Sequence, residues 1–169
     1  MSPQDCKTAS GFYIADFESE IPITARVLQA MEEAGQNYRP DDKSKTGLAL
    51  ARHITLEDAW LLESTINMEL LPLPDDSDVC GLMNATDCAA RYGETIPALL
   101  AQVKTMTPDQ LATEVDFFGM MKLPAVGLLS MALRHSIHHR GQLSSYLRAM
   151  GGKVPGIYGP SADEPMQAA

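Results

Sequence analysis

The sequence has little positive charge, few aromatic residues and no long apolar run. Its 13 lysines and arginines stand against 22 aspartates and glutamates, a formal net charge of −9. Because nucleic acids and anionic lipid surfaces are bound largely through cationic side chains, this balance argues against both as partners. The longest charge-free stretch of the second half, residues 123–133, is about half as long as the ~20 apolar residues of a membrane-spanning helix. The amino terminus lacks the pattern of a secretory signal, so the sequence predicts a cytoplasmic protein.

Cysteine is also scarce, and Cys6, Cys80 and Cys88 are odd in number and lack C-x-x-C spacing. This usage favours reduced thiols over a disulfide framework or a cysteine zinc site. Hydrophobic residues make up 45% of the chain and charged residues 21%, which is typical of a folded globular protein. At 169 residues, the chain has the length of one domain with a sizeable core.

Four long stretches have an apolar period of about 3.6 residues, and segments rich in proline, glycine and aspartate separate them. The pattern predicts long helices over about residues 10–34, 46–71, 86–104 and 124–150. Pro22 is expected to kink the first helix, and the pair Thr86-Asp87 to cap the third. The pair Thr107-Pro108 predicts a short helical turn over 110–113. These elements predict an all-α protein, a four-helix bundle.

Two segments are expected to lie outside the helices. The apolar segment 115–123 is expected to cover one end of the bundle as an extended loop rather than as a pairing strand. We assign residues 1–152 to the bundle and residues 153–169 to a tail rich in glycine and proline. The tail cannot be helical and is expected to pack on the bundle or fray from it, with Ile157 and Tyr158 as candidate anchors.

Three of the four histidines fall in the run RHSIHHRGQL of the last long helix. On a helix, His135 and His139 lie about 40° apart around the axis and roughly 6 Å along it, so both imidazoles can meet at one point. Their face of the helix is apolar, which points them into the bundle. His138 is turned about 60° to the other side of His135 and is expected at the edge of the apolar stripe. The pair has metal-ligand spacing, although hydrogen-bonded core histidines are the alternative.

His53 is the remaining histidine, and it lies on the apolar face of the second helix together with Leu50 and Leu61. As a lone residue it could be a core histidine that hydrogen-bonds to the backbone. Three inward-facing histidines in one bundle are harder to explain in that way, because each buried ring nitrogen needs a partner. The sequence therefore predicts a metal site of three nitrogen ligands, which suits Zn²⁺ or Ni²⁺ and leaves coordination positions open.

Further polar and aromatic residues lie near these histidines on the helical wheel. Glu57 follows His53 by one turn, where it could orient an imidazole or accept a proton, or could be a surface carboxylate. Gln142 shares the inward face of the last helix and could hydrogen-bond a ligand histidine. Trp60 and Tyr146 could wall a substrate pocket or belong to the core. Arg140 faces away and is expected in an ion pair or a subunit contact.

These residues together suggest a family. The run HSIHHRGQLSSYLRAMG, with His53 about eighty residues earlier and the loop YRPDDKSKT just before its helix, resembles the DinB family of damage-inducible bacterial proteins. The resemblance covers the chain from the first helix to about Gly152. It implies a four-helix bundle with a long crossover, often a homodimer, that holds a divalent metal through His53, His135 and His139. It does not imply DNA binding.

The resemblance also implies a type of chemistry. The wider superfamily includes metal-dependent transferases and isomerases that use low-molecular-weight thiols such as mycothiol or bacillithiol. A metal-activated thiol would attack a small electrophilic substrate, with Glu57 or His138 handling protons. A metal-dependent hydrolase is one alternative. A non-catalytic, dimer-forming protein whose metal only braces two helices is another.

Overall fold

The computed structural model describes residues 1–77 and 80–166. Within these ranges, the structure has four long helices, one short helix, a 3₁₀ turn and a two-stranded hairpin. In chain order the elements are α1 (Pro3–Gln29), the 3₁₀ turn (Glu33–Gly35), α2 (Gly47–Asn67), α3 (Ala85–Thr105), α4 (Pro108–Ala112), β1 (Glu114–Phe117), β2 (Met121–Pro124) and α5 (Ala125–Ala149). The predicted all-α four-helix bundle is confirmed, and the last three residues of the predicted tail lie outside the described ranges.

The long helices form a ring in which neighbours in space are not always neighbours in sequence. Both α1 and α2 pack mainly against α3 and α5. The consecutive helices α1 and α2 therefore lie diagonally across the bundle, and a crossover connection joins them. Because α2 and α5 are direct neighbours, a side chain on one can meet a side chain on the other inside the bundle.

Several helices begin at residues other than the predicted ones, because side chains that the prediction did not use cap them. Helix α1 begins at Pro3, well before the predicted start near Ser10, because Ser2 and Asp5 form a capping box. For α3 the predicted cap Thr86-Asp87 is wrong, since the Asn84 side chain accepts a hydrogen bond from the Asp87 backbone N–H at 2.9 Å.

Helix α2 ends at Asn67, before the predicted end at Leu71, because Met68 takes a left-handed backbone with φ of 56°. At the short helix α4, Thr107 is the cap that the sequence predicted. Pro22 lies within α1, and the kink there stays a prediction.

The predicted loop over residues 115–123 is wrong, because this segment forms an antiparallel β-hairpin. Val115 pairs with Leu123, and Phe117 pairs with Met121. Between the strands, Phe118 and Gly119 both have positive φ, 57° and 69°, which is the backbone that tight hairpin turns require. Val115 is buried while its strand neighbours are more exposed. The sequence did not predict these strands, because each is short and the apolar residues at the turn obscure the alternation of buried and exposed side chains.

A buried ion pair joins α5 to α1 and to the tail. Arg140, only 1% exposed, pairs with the Glu20 carboxylate, as the sequence predicted. The Tyr158 hydroxyl accepts a hydrogen bond from Arg140 Nη2 at 2.7 Å and donates one to Glu20 Oε1 at 2.9 Å. The tail is also tied down by surface ion pairs, including that of Arg26 with Glu164 at 2.5 Å. These contacts place Tyr158 as an anchor of the tail.

The cysteines are free thiols in the structure, and Cys6 and Cys88 are buried. Burial raises the pKa of the Cys88 thiol to about 11, so it is protonated at neutral pH. None of the described helices is both long and apolar enough to cross a membrane.

We expect Arg140→Met to lower the free energy of unfolding by about 3–5 kcal/mol, because the variant leaves the Glu20 carboxylate buried without its cation. Urea unfolding followed by circular dichroism measures the change. The control is Arg26→Met, which removes the exposed ion pair with Glu164 and should change the same quantity by about 0–1 kcal/mol. Equal effects of the two variants would contradict the account.

Candidate metal centre

Contact between α2 and α5 brings the three predicted ligand histidines together. His135 and His139 lie one turn apart on α5, and His53 faces them from α2. The Nε2 atom of His53 is 3.2 Å from Nε2 of His135 and 3.2 Å from Nε2 of His139. The three rings are partly buried, and the side chains of His53 and His135 are 13% and 14% exposed. The three Nε2 atoms thus surround one small volume between the helices.

Hydrogen bonds on the far side of two rings set the direction of their lone pairs. His135 Nδ1 donates to Asp58 Oδ1 at 2.7 Å, and His139 Nδ1 donates to Gln142 Oε1 at 3.0 Å. The Gln142 amide is itself oriented, because its Nε2 donates to the Tyr146 hydroxyl at 3.3 Å. A ring proton held on Nδ1 makes Nε2 the nitrogen that can bind an ion, once any proton on Nε2 has been lost.

The spacing of the nitrogens fits a tetrahedral metal ion. Two nitrogens that each lie about 2.0–2.1 Å from such an ion are about 3.3 Å apart. The Nε2 atom of His53 lies at this spacing from the Nε2 atoms of both His135 and His139. The three residues form a cluster that could hold a metal ion, with their ligand atoms within 4.8 Å of one another. If all three rings were neutral, three lone pairs would point at one another, which is unfavourable unless a proton or a metal ion lies between them.

Carboxylates give the cluster a negative environment. Glu57 Oε1 lies 2.8 Å from His53 Nδ1, and Glu57 Oε2 lies 3.5 Å from His135 Nε2. Asp76 Oδ2 lies 3.8 Å from His53 Nδ1 and pairs with Lys45 at 2.6 Å. Lys45 belongs to the loop YRPDDKSKT, so this loop reaches the edge of the cluster. The carboxylates favour a positive charge at the point where the nitrogens meet.

The pKa values reflect this environment. Burial lowers the pKa of His135, but its hydrogen bonds with Asp58 and Glu57 outweigh burial and raise the pKa to about 9. Burial lowers the pKa of His139 to about 4, with the charges of neighbouring histidines acting in the same direction. Burial raises the pKa of Glu57, but hydrogen bonds from His135 and His53 outweigh it and bring the pKa to about 2. Glu57 is therefore ionised at neutral pH.

Sequence reasoning missed Asp58. This aspartate is fully buried on α2, four residues after Ile54 and shortly before Leu61 and Leu62. A carboxylate within the apolar face of a helix needs a partner, and that position on the helical wheel was the available signal. Its partner is His135, on another helix 77 positions away in sequence. Burial raises the pKa of Asp58, and the hydrogen bond from His135 opposes this.

The remaining predicted residues lie at different distances from the cluster. His138 is exposed, and its ring centroid is 4.7 Å from that of His139. Tyr146 is buried, and its hydroxyl accepts a hydrogen bond from Gln142, the partner of His139. Trp60 is buried beside Leu71, and its Nε1 donates a hydrogen bond to the Leu71 carbonyl at 2.8 Å. Trp60 lines a cavity of about 380 Å³ with Thr55, Leu56, Ala59, Glu63, Leu71, Pro72, Pro74, Arg91 and Thr95. This lining includes none of the three cluster histidines.

Comparison with known proteins agrees with the fold. The model of the DinB family matches residues 9–168. Bacillus subtilis (strain 168) YrdA is 26% identical over 153 residues, which cover 90% of this chain and 89% of YrdA. YjoA from the same organism is 29% identical over 145 residues, which cover 82% of this chain and 88% of YjoA.

Two solved structures share the architecture. A DinB-like protein from Bacillus cereus ATCC 10987 aligns with a TM-score of 0.72 and 24% identity, over 86% of this chain and 95% of its own. YfiT from Bacillus subtilis, described as a probable metal-dependent hydrolase with an unusual four-helix bundle topology, aligns with a TM-score of 0.69 and 15% identity. That alignment covers 85% of this chain and 89% of YfiT. At these identities the similarity shows the fold.

We expect metal-free protein to bind about one Zn²⁺ or Ni²⁺ per chain, because three Nε2 lone pairs meet at one point. His53→Ala, His135→Ala and His139→Ala should each weaken binding more than about 100-fold. Isothermal titration calorimetry and elemental analysis after dialysis measure both quantities. The matched control is His138→Ala, which removes an exposed histidine of the same helix and should bind like wild type. Equal loss in the control would mean that the cluster is not the site.

Proposed function

This chain belongs to the DinB family, and from that membership we propose that it is a divalent-metal-dependent enzyme that transfers a low-molecular-weight thiol to small electrophiles. The observation that carries the proposal is the meeting of three histidine Nε2 atoms beside the Glu57 carboxylate. Such a site offers three protein ligands for a metal, which leave coordination positions for a nucleophile, and a carboxylate that can accept the nucleophile's proton.

His53, His135 and His139 would hold the ion, and Zn²⁺ or Ni²⁺ suits three neutral imidazole ligands. A divalent ion bound there would act as a Lewis acid and lower the pKa of a coordinated thiol or water. Asp58 and Gln142 hold two of the rings with Nε2 inward, so the ligands do not need to reorient.

Glu57 is placed to take the proton of the incoming nucleophile. Its Oε2 lies 3.5 Å from His135 Nε2 and so faces the point where the ligand nitrogens meet. The S–H proton passes to Glu57, the sulfur forms a bond to the electrophilic carbon, and the leaving group departs with the electrons of the broken bond. His138 lies at the surface next to His139, where it would exchange the proton with solvent.

A hydrolase is the second candidate function. YfiT shares the fold and is described as a probable metal-dependent hydrolase, and the same Glu57 carboxylate could accept a proton from water. In this reaction water replaces the thiol as the nucleophile, and turnover needs no added thiol. In a third candidate role, the metal only joins α2 to α5 and the protein catalyses no reaction.

The partners we propose are a small-molecule substrate and a second copy of the chain in a homodimer. The net charge of −9 gives no basis for proposing nucleic acid or a membrane surface.

Zn²⁺-loaded and Ni²⁺-loaded protein should consume an aromatic chloride or an epoxide in the presence of bacillithiol, mycothiol or cysteine, measured by thiol loss and product mass. Glu57→Gln should lower the rate about 10²–10⁴-fold, because it removes the proton acceptor and keeps the three histidines. The matched control is Glu63→Gln, an exposed carboxylate of the same helix, which should react like wild type.

Other outcomes of this assay separate the alternatives. Cleavage of activated esters without thiol would replace the transferase by the hydrolase. A loaded protein that acts on neither kind of substrate, and unfolds at lower temperature when the metal is removed, would favour the bracing role.

A further inference from the structure

We propose that Asp58 is a positioning residue that keeps the ring proton of His135 on Nδ1 and supplies buried negative charge for the divalent ion. The inference rests on the metal-binding part of the proposed function. Asp58 is not itself a ligand. In this proposal it orients one ligand, His135, and supplies one of the two negative charges that balance the divalent ion.

The contact between Asp58 and His135 joins the two helices that carry the ligands. Asp58 Oδ1 accepts the hydrogen bond of His135 Nδ1 at 2.7 Å, and the Asp58 side chain is fully buried. A hydrogen bond to a charged acceptor is stronger than one to a neutral acceptor, and water does not compete for it here. The bond therefore fixes both the rotation of the His135 ring and the nitrogen that carries the proton.

The second oxygen of the carboxylate, Asp58 Oδ2, is buried and makes no hydrogen bond within the part of the chain that the structure describes. Two nearby hydroxyl groups, those of Tyr92 and Ser136, act to lower the pKa of Asp58 against the effect of burial. The Tyr92 hydroxyl itself lies 2.7 Å from Ser136 Oγ. Tyr92, Ser136 and Asp58 are all fully buried. A buried carboxylate oxygen without a hydrogen-bond donor favours a cation close by.

His139 provides an internal comparison. Its Nδ1 donates to Gln142, a neutral side chain that is only partly buried. A neutral acceptor holds the ring less firmly and carries no charge. Asp58 therefore differs from Gln142 in both respects, although each occupies the same place relative to its histidine.

The charges of the site also balance. Three neutral imidazoles contribute no charge, whereas the carboxylates of Asp58 and Glu57 contribute two negative charges next to a divalent ion. A buried ion is tolerated when opposite charges lie close by. The charge of the nearby Asp76 carboxylate is offset by its ion pair with Lys45. Without Asp58, the loaded site would therefore carry one uncompensated positive charge.

The test is Asp58→Asn, which keeps the size of the side chain and replaces a charged acceptor by an amide. The amide N–H₂ can donate to His135 Nδ1, which favours the tautomer with the proton on Nε2, and that tautomer cannot bind the ion. We expect the variant to bind Zn²⁺ about 10–100-fold more weakly in competition with a chromophoric chelator. Thr55→Val, a buried near-isosteric change on the same helix, should bind like wild type.

A second measurement uses the wild-type protein and does not depend on how the variant folds. In the Zn²⁺-loaded protein, ¹H–¹⁵N spectra of the histidine rings should show a His135 proton on Nδ1 at low field and slow to exchange. A His135 ring that binds Zn²⁺ through Nδ1, or whose Nδ1 proton exchanges as fast as that of His139, would overturn the inference.

The outcomes separate this inference from the proposed function. If wild type does not bind Zn²⁺, both fail. If wild type binds and Asp58→Asn binds equally well, the positioning role fails and the metal site stands. A variant that loses affinity while its metal-free form unfolds at the wild-type temperature supports the inference.

Discussion

The constraint on which the structure depends is the burial of three imidazole rings at the contact between α2 and α5. Histidine is tolerated in such a place only when each ring nitrogen has a partner. On the outer side, Nδ1 of His135 and Nδ1 of His139 hydrogen-bond to Asp58 and Gln142. Nδ1 of His53 lies within ion-pair distance of Glu57 Oε1, at 2.8 Å, without the geometry of a hydrogen bond. On the inner side the three Nε2 atoms meet one another, and a cation is the partner that satisfies all three together.

The bundle topology serves this contact. Because the connection between α1 and α2 crosses the bundle, α2 and α5 become direct neighbours. If each helix instead packed beside the next one in sequence, α2 and α5 would lie diagonally across the bundle. The opposite side of α5 is fixed by the ion pair of Arg140 with Glu20 of α1. Because Arg140 directly follows His139, the ion pair and the ligands both set the rotation of α5 about its axis. The tail adds the Tyr158 hydroxyl to the same ion pair and so supports the helix that carries two of the histidines.

Local sequence patterns predicted a large part of this arrangement. Apolar periodicity identified the four long helices, and the one-turn spacing of His135 and His139 placed both on the inward face. The sequence could not show the partner of Asp58, because that contact is formed only when α2 packs against α5. Similarly, the hairpin depends on positive φ at Phe118, a conformation that phenylalanine adopts only under tertiary constraint. Observed helix ends differ from those predicted by the apolar pattern where a side chain such as Ser2 caps the helix at another residue.

The chemistry proposed for this protein requires that three histidine nitrogens hold one divalent ion. X-ray absorption at the zinc edge of the loaded protein tests it most directly, because the method reports the kind and distance of the ligands. We expect three imidazole nitrogens at about 2.0–2.1 Å, with the outer-shell scattering of histidine rings and no sulfur from the protein. A sulfur ligand near about 2.3 Å, or a shell of oxygens without imidazole scattering, would contradict it.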